Sequence, residues 1–371
     1  MDTIYSNFTV EHMESGIKFT RYHGLDAFRC FAMLMGLVIH APLVFEIPEI
    51  VGLANAYKYP PLAGIILSWI HSWRMPTFFI LSGIFTQFTI INRGVKYFLF
   101  DRFIRILIPM VIVTTALNFF WDQSFLTLYH LWFLYYLFIV SVITSIVFIV
   151  TEKTKIKFSK IIKSDHYLIS LFLYILLFII LVFLTSSARE NGLKTDIPKI
   201  YTDINLVSFL YHWFWFFLGQ ILYYNRKILD FKLSKVKLFL CFALGITAHF
   251  SLLILVFEIS FRSLLINILS AASTLIWIIF FVGLFNKIFY KESKILNILL
   301  EYSYSIYLIH VAPSIIFGVI MYTNGFDSLN MILPNIILSG LSSIFFYYIF
   351  IRYTPLNWCV NGYKNSRFKP F

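Results

Sequence analysis

Long apolar blocks alternate with short polar segments along the whole chain, and most blocks reach the roughly 20 residues needed to cross a bilayer as a helix. They predict helices near residues 25–46, 62–91, 103–121, 125–150, 167–185, 206–223, 237–257, 263–286, 296–321 and 331–352. The apolar residues run in solid stretches rather than alternating with polar ones, which excludes a porin-like barrel. The expected architecture is an all-α polytopic membrane protein, a bundle of about ten transmembrane helices. Residues 1–23 form an N-terminal tail, 24–352 the transmembrane domain and 353–371 a C-terminal tail, with both tails expected in the cytoplasm.

Composition agrees with this pattern. Of 371 residues, 60% are hydrophobic and 13% charged, whereas soluble domains carry about 25% charged residues. A soluble globule and a disordered chain are both excluded. The polar first segment carries Asp2, Glu11 and Glu14 and has no small-residue cleavage site, so it does not read as a signal peptide. Cys30, Cys241 and Cys359 show no paired spacing, and neither a disulfide framework nor a metal site is expected. The sequence shows no internal repeat and no nucleotide-binding glycine loop.

The net charge of +12 would suggest nucleic acid on a soluble chain, but here its placement points to the lipid bilayer instead. Alternate loops and the two tails together hold 23 Lys and Arg, and the opposite side holds five: Lys58, Arg189, Lys194, Lys199 and Arg262. By the positive-inside rule the richer side is cytoplasmic. No nucleic-acid partner is expected.

Two basic residues, Arg29 and Arg74, fall inside predicted helices, where ionisable groups are costly and usually functional. Arg29 and His40 are 11 residues apart, which returns to within about 20° of the same helix face and separates them by roughly 16 Å along the axis. That geometry suits a long anionic donor, with phosphate at the Arg and a reactive carbonyl near the His. The plainer alternative is that Arg29 snorkels, paired with Asp26 one turn earlier, while His40 bonds a neighbouring helix. In the second block His71 and Arg74 are one turn apart, beside Pro76, which leaves the Ser72 carbonyl without its helical donor. A polar cavity is the expected explanation. Ser82-Gly83 fits either a site or close helix packing.

These residues resemble a known family. Leu25-Asp26, Arg29 and His40, then Arg74-Met75-Pro76-Thr77-Phe78-Phe79 with Ser82-Gly83, then Arg102-Phe103-Ile104-Arg105 before Pro109, are similar to the integral membrane acyltransferase 3 family. His130-Leu131-Trp132-Phe133-Leu134 and Ser303-Tyr304-Ser305-Ile306-Tyr307-Leu308-Ile309-His310 extend the likeness in the family's order. The His-Ser-Trp-Arg-Met and His-Leu-Trp-Phe-Leu versions look closest to the glucan-biosynthesis protein C branch, which is associated with succinylation of periplasmic glucans.

The resemblance implies transfer of an acyl group, acetyl or succinyl, from cytoplasmic acyl-CoA to a hydroxyl of a periplasmic or cell-surface glycan. Its functional Arg and His map onto Arg29 and His40. A sugar hydroxyl needs a base to become a good nucleophile, and His40 is the candidate base or acyl carrier. Arg74 is expected to polarise the thioester carbonyl or hold phosphate, and His71 to line the same cavity. Arg102 and Arg105 can meet CoA phosphates or anchor the helix. His130 and His310 are candidates for the glycan side, against interface anchoring and plain packing respectively. His212 and His249 are expected to pack. No orienting carboxylate for His40 stands out, since Glu301 lies at the inner end of its helix and Glu46 lies six residues past His40, near the outer face. A transporter or flippase is the rival class, supported by the proline-interrupted second helix.

Overall fold

The computed structural model describes residues 22–42, 61–121, 127–153, 167–187, 198–224, 231–258, 263–326 and 329–362. It is 87% helical with no strands among them. Each of the ten apolar blocks is helical where it is described: α1 (His23–His40), α2 (Pro61–Arg102), α3 (Ile108–Phe120), α4 (Trp132–Lys153), α5 (Tyr167–Ser187), α6 (Leu206–Tyr224), α7 (Lys235–Glu258), α8 (Leu264–Ile288), α9 (Lys294–Ile309), α10 (Val311–Thr323) and α11 (Ile332–Phe346), followed by a short α12 (Leu356–Asn361). Among the described residues six helices are long and apolar enough to cross a membrane, or seven when the bent α9–α10 pair is taken as one span. The protein is an integral membrane protein.

Three departures from the expected helices have local causes. The block at 62–91 continues to Arg102, but Gly94 breaks it with φ 80° and ψ 164°, a conformation open to glycine and costly for other residues. The block at 296–321 is bent by 65° between Ile309 and Val311. α9 itself contains no proline. The cause is Pro313 in the first turn of α10, which has no N–H for the Ile309 carbonyl and whose ring crowds it. The block at 103–121 opens with a π-helical turn, Phe103–Leu107, and such turns recur at functional sites.

Glycines set the closest helix approach. A Cβ on Gly83 of α2 would stand 2.0 Å from the Phe216 carbonyl, and one on Gly219 of α6 would stand 2.1 Å from the Ile80 carbonyl. The Ser82-Gly83 step is therefore a packing contact, as small residues provide in membranes.

One end of the bundle gathers the basic segments. Gly24 abuts Asn286, whose amide donates to the Phe231 carbonyl, and Arg105 donates to the Val360 carbonyl at 3.4 Å. The start of α1, the end of α8 and the segments around residues 105, 231 and 360 thus lie together. At the other end Leu128 N–H bonds the Lys199 carbonyl, and Tyr135 donates to the Tyr201 carbonyl.

Candidate active site

α1 is an unbroken α-helix from His23 to His40, so Arg29 and His40 keep the face and separation that their spacing gives. Its two ends have different company. Arg29 pairs with Asp26 at 3.3 Å, lies over the Phe85 ring and has Arg102 as an electrostatic neighbour. The plainer sequence alternative, an Arg29–Asp26 pair, is what the fold contains. Arg102 lies over Phe98, and Arg105, in the π-turn, stands 3.9 Å from Asp101. The Nε atoms of Arg102 and Arg105 are buried without a partner. Arg29, Arg102 and Arg105 therefore make one cationic end.

His40 sits at the other end, among histidines from two further elements. Its ring centroid is 5.1 Å from that of His310 and 5.9 Å from that of His130, and those two are 5.2 Å apart. His310 falls at the α9–α10 bend and is fully buried; His130 lies in the 3₁₀ turn Tyr129–Leu131 that precedes α4 and is 8% exposed. Interface anchoring, the plainer expectation for His130, does not fit a side chain held inside the bundle. Tyr129 supports this placement, as the one non-glycine residue with positive φ (49°) among the described residues. Such backbone costs about 1–3 kcal/mol and persists where its surroundings impose it.

Backbone carbonyls fix the protons on two of the rings. His310 Nδ1 is 2.9 Å from the Ile306 oxygen and 2.8 Å from the Tyr307 oxygen, and carbonyls only accept, so Nδ1 carries the proton. His130 Nε2 donates to the Tyr307 oxygen at 3.0 Å, while the Tyr307 hydroxyl donates back to the His130 oxygen at 3.0 Å. In the neutral rings this leaves lone pairs on His310 Nε2 and His130 Nδ1. Both atoms, and His40 Nδ1, are buried without a partner.

Arg74 completes the cluster. It is 2% exposed, its Nε donates to the Ala32 carbonyl of α1 at 2.8 Å, and its Nη2 is buried and unpartnered. It neighbours His40, His130 and His310 electrostatically, as does His71 for His40. Arg74 therefore belongs with the histidines rather than with Arg29. Gly36 makes room for it: a Cβ there would be 2.8 Å from Arg74 Nη2 and 3.1 Å from His310 Nε2. The Ser72 carbonyl that Pro76 frees is not left open. Thr274 of α8 donates its hydroxyl to that oxygen at 2.8 Å, supplying the hydrogen bond that Pro76 cannot.

The remaining expectations divide plainly. His212 bonds the Ser208 carbonyl and packs on Phe79 and Trp132, and His249 contacts Ser68, so both pack away from the cluster. Glu301 accepts from Tyr347 and stands 4.0 Å from Arg352. Glu46 lies outside the described residues. Among the described residues no group of three or more His, Cys, Asp or Glu has metal-holding geometry. A separate cavity of 390 Å³ between α1, α9 and α11 has an apolar lining that includes Leu34, Leu37 and Ile306, on another face of α1.

Sequence reading passed over Gly36, Thr274 and Asn335. Asn335 of α11 donates to the Ala41 carbonyl at 2.8 Å and the Ser314 carbonyl at 3.0 Å, and accepts from Ser339. It ties the end of α1, one residue past His40, to α10.

A family model described as an acyltransferase domain matches residues 22–352, nearly the whole chain and every element of this cluster. The chain belongs to the acyltransferase family. The match makes it a membrane acyltransferase and sets the transporter expectation aside. No curated protein and no solved structure matches the chain.

Proposed function

We propose that this acyltransferase moves an acetyl or succinyl group from cytoplasmic acyl-CoA to a hydroxyl of a glycan on the outer side of the bacterial inner membrane, with both chain ends in the cytoplasm. The observation that carries the reading is Arg74, a guanidinium 2% exposed with no carboxylate partner among the described residues and with Nη2 unpartnered beside three histidines. A buried unpaired charge costs several kcal/mol, and the oxyanion of a thioester under attack supplies the missing negative charge.

The chemistry follows from the two ends of α1. His40 takes the hydroxyl proton as the sugar oxygen attacks the thioester carbonyl carbon. The tetrahedral species, its oxyanion facing Arg74, collapses with cleavage of the C–S bond, and the imidazolium returns the proton to the departing CoA thiolate. Arg29, Arg102 and Arg105 face donor phosphate at the cationic end, where planar guanidinium groups bind phosphate through paired hydrogen bonds. His130, His310 and His71 border the side from which the acceptor arrives. A glucan acceptor follows the resemblance of the His71–Met75 and His130–Leu134 segments.

Mass spectrometry of envelope glycans from cells with and without the protein tests this directly, since it reads acyl mass and acceptor together. The expected result is an acylated glycan that disappears without the protein and is not restored by His40→Ala at normal membrane abundance. Glycans identical in the two strains would overturn the acceptor, and full restoration by His40→Ala would remove His40 from the chemistry.

A further inference from the structure

A histidine acting as a base needs its far nitrogen protonated and held, so that the near nitrogen presents a lone pair. Carboxylates usually provide that hold, but none of the described carboxylate side chains pairs with His40: Asp26 pairs with Arg29, Asp101 with Arg105, Glu301 with Tyr347 and Arg352, and Glu292 with Asn297, while Asp203 is exposed in the segment before α6. Among the described residues, the titratable or charged groups that neighbour His40 electrostatically are His310, His130, Arg74 and His71. Arg74 donates only, and cannot accept a proton from an imidazole N–H.

His310 meets the requirement best. Its proton is committed to the Ile306 and Tyr307 carbonyls through Nδ1, which leaves Nε2 as an acceptor. That Nε2 and His40 Nδ1 are both buried and unpartnered, a state that costs each of them hydrogen-bond energy. The two rings are the closest pair of the three, 5.1 Å between centroids and tilted by 47°; their nitrogens are not hydrogen-bonded as placed, and a ring rotation is what would join them. His130 also offers a lone pair, but its ring stands farther away, at 5.9 Å, and edge-on.

We propose that His310 is a positioning residue for His40, accepting the His40 Nδ1 proton at its own Nε2 and so leaving the His40 Nε2 lone pair free for the acceptor hydroxyl. The assignment rests on the acyl-transfer reading above. Among the described residues the hold comes from a neutral histidine, not a carboxylate, and that histidine's own tautomer is set by two main-chain oxygens. Asn335 and the Ala41 carbonyl hold the end of α1 from the other side.

Two substitutions separate this role from packing. His310→Asn keeps a donor where Nδ1 was and loses the acceptor at Nε2, whereas His310→Gln places an amide oxygen near Nε2 and loses the donor. Purified full-length protein in nanodiscs is assayed for acyl transfer from acyl-CoA, and ¹⁵N NMR of histidine-labelled protein reads the His40 tautomer, with His40→Ala assigning its signals. The expected result is a kcat for His310→Asn at least about tenfold below that of His310→Gln, with the donor KM within about twofold. The Nδ1–H tautomer of His40 is expected in the wild type and His310→Gln and lost in His310→Asn. Equal or higher kcat in His310→Asn, or an unchanged His40 tautomer there, overturns the proposal. So does loss of that tautomer in His130→Gln alone, which assigns the role to His130. If His40→Ala itself transfers acyl groups normally, the acyl-transfer reading of His40 fails first, and that outcome is distinct from the others.

Discussion

Gly36→Ala is a sharp test of whether the cluster is the reaction centre, because the new methyl group would enter the one place where α1, Arg74 and His310 converge. Its carbon would stand 2.8 Å from Arg74 Nη2 and 3.1 Å from His310 Nε2, closer than ordinary van der Waals contact. Arg74 cannot swing freely, since its Nε is held by the Ala32 carbonyl, and His310 is held by two carbonyls of its own helix. Overpacking of this kind costs about 1–3 kcal/mol, while replacing a mid-helix glycine by alanine returns about 0.5–1 kcal/mol. The net loss of stability is therefore about 0–2.5 kcal/mol, small enough for folded protein to accumulate. Activity should suffer more, because a displacement of about 1 Å at a reacting centre can cost about 100-fold in rate. Gly340→Ala of α11 provides a control on a different face of α1: its Cβ meets only Leu37, at an ordinary 3.5 Å. The assay is acyl transfer per mole of folded protein, with abundance and thermal midpoint measured by fluorescence-detected size exclusion. Wild-type turnover in Gly36→Ala would refute the placement of Arg74 and His310 at the reacting atoms.

Four further outcomes are expected. Asn335→Ala removes two hydrogen bonds to the Ala41 and Ser314 carbonyls, each worth about 0.5–1.5 kcal/mol, and should lower the thermal midpoint; a midpoint equal to wild type would show that Asn335 does not hold α1. Thr274→Val should destabilise by about 1 kcal/mol through the Ser72 carbonyl, and the loss should shrink in a Pro76→Ala background that restores the helical donor, as a double-mutant cycle of thermal midpoints would read; strict additivity would deny the coupling. Arg29→Ala and Arg29→Lys should both weaken binding to an immobilised CoA analogue, since Lys keeps the charge but not the two-pronged donor; unchanged binding in both removes Arg29 from the donor site. Single cysteines at residues 93, 157, 232 and 291, in a variant lacking the three native ones, should resist an impermeant thiol reagent in intact cells, and labelling at 157 would reverse the orientation.

Periodicity and hydropathy made much of this arrangement legible. The face shared by Arg29 and His40 is a property of any unbroken helix, and the apolar blocks required no tertiary information. The depth of Arg74 followed from a single charge in a long apolar run. What escaped was set by neighbours distant in sequence. Whether the Ser72 carbonyl opens a cavity depends on Thr274, about two hundred residues later, and its hydroxyl reads as ordinary helix polarity until α8 packs against α2. Gly36 reads as a mild helix defect until Arg74 and His310 arrive on its open side. The assignment of Arg74 to the histidines rather than to Arg29 likewise depends on which turn of α1 its long side chain reaches.

The three histidines share a feature that explains why the helical pattern located one of them more readily than the others. Each occupies an end or a break: His40 closes α1, His130 lies in the turn before α4, and His310 marks the bend that Pro313 imposes on α9 and α10. Irregular backbone is tolerated at membrane depth only where side chains or a polar lining satisfy it. Here the exchange runs both ways, because the Tyr307 carbonyl accepts hydrogen bonds from His310 and His130, and the Tyr307 hydroxyl donates one to the His130 carbonyl. Fixing two ring protons on main-chain oxygens leaves their remaining nitrogens as acceptors in a cluster whose unpartnered donors include Arg74 Nη2. The described part of this centre can stabilise negative charge at Arg74 and receive a proton at a histidine, which is the combination that transfer of an acyl group to a hydroxyl demands.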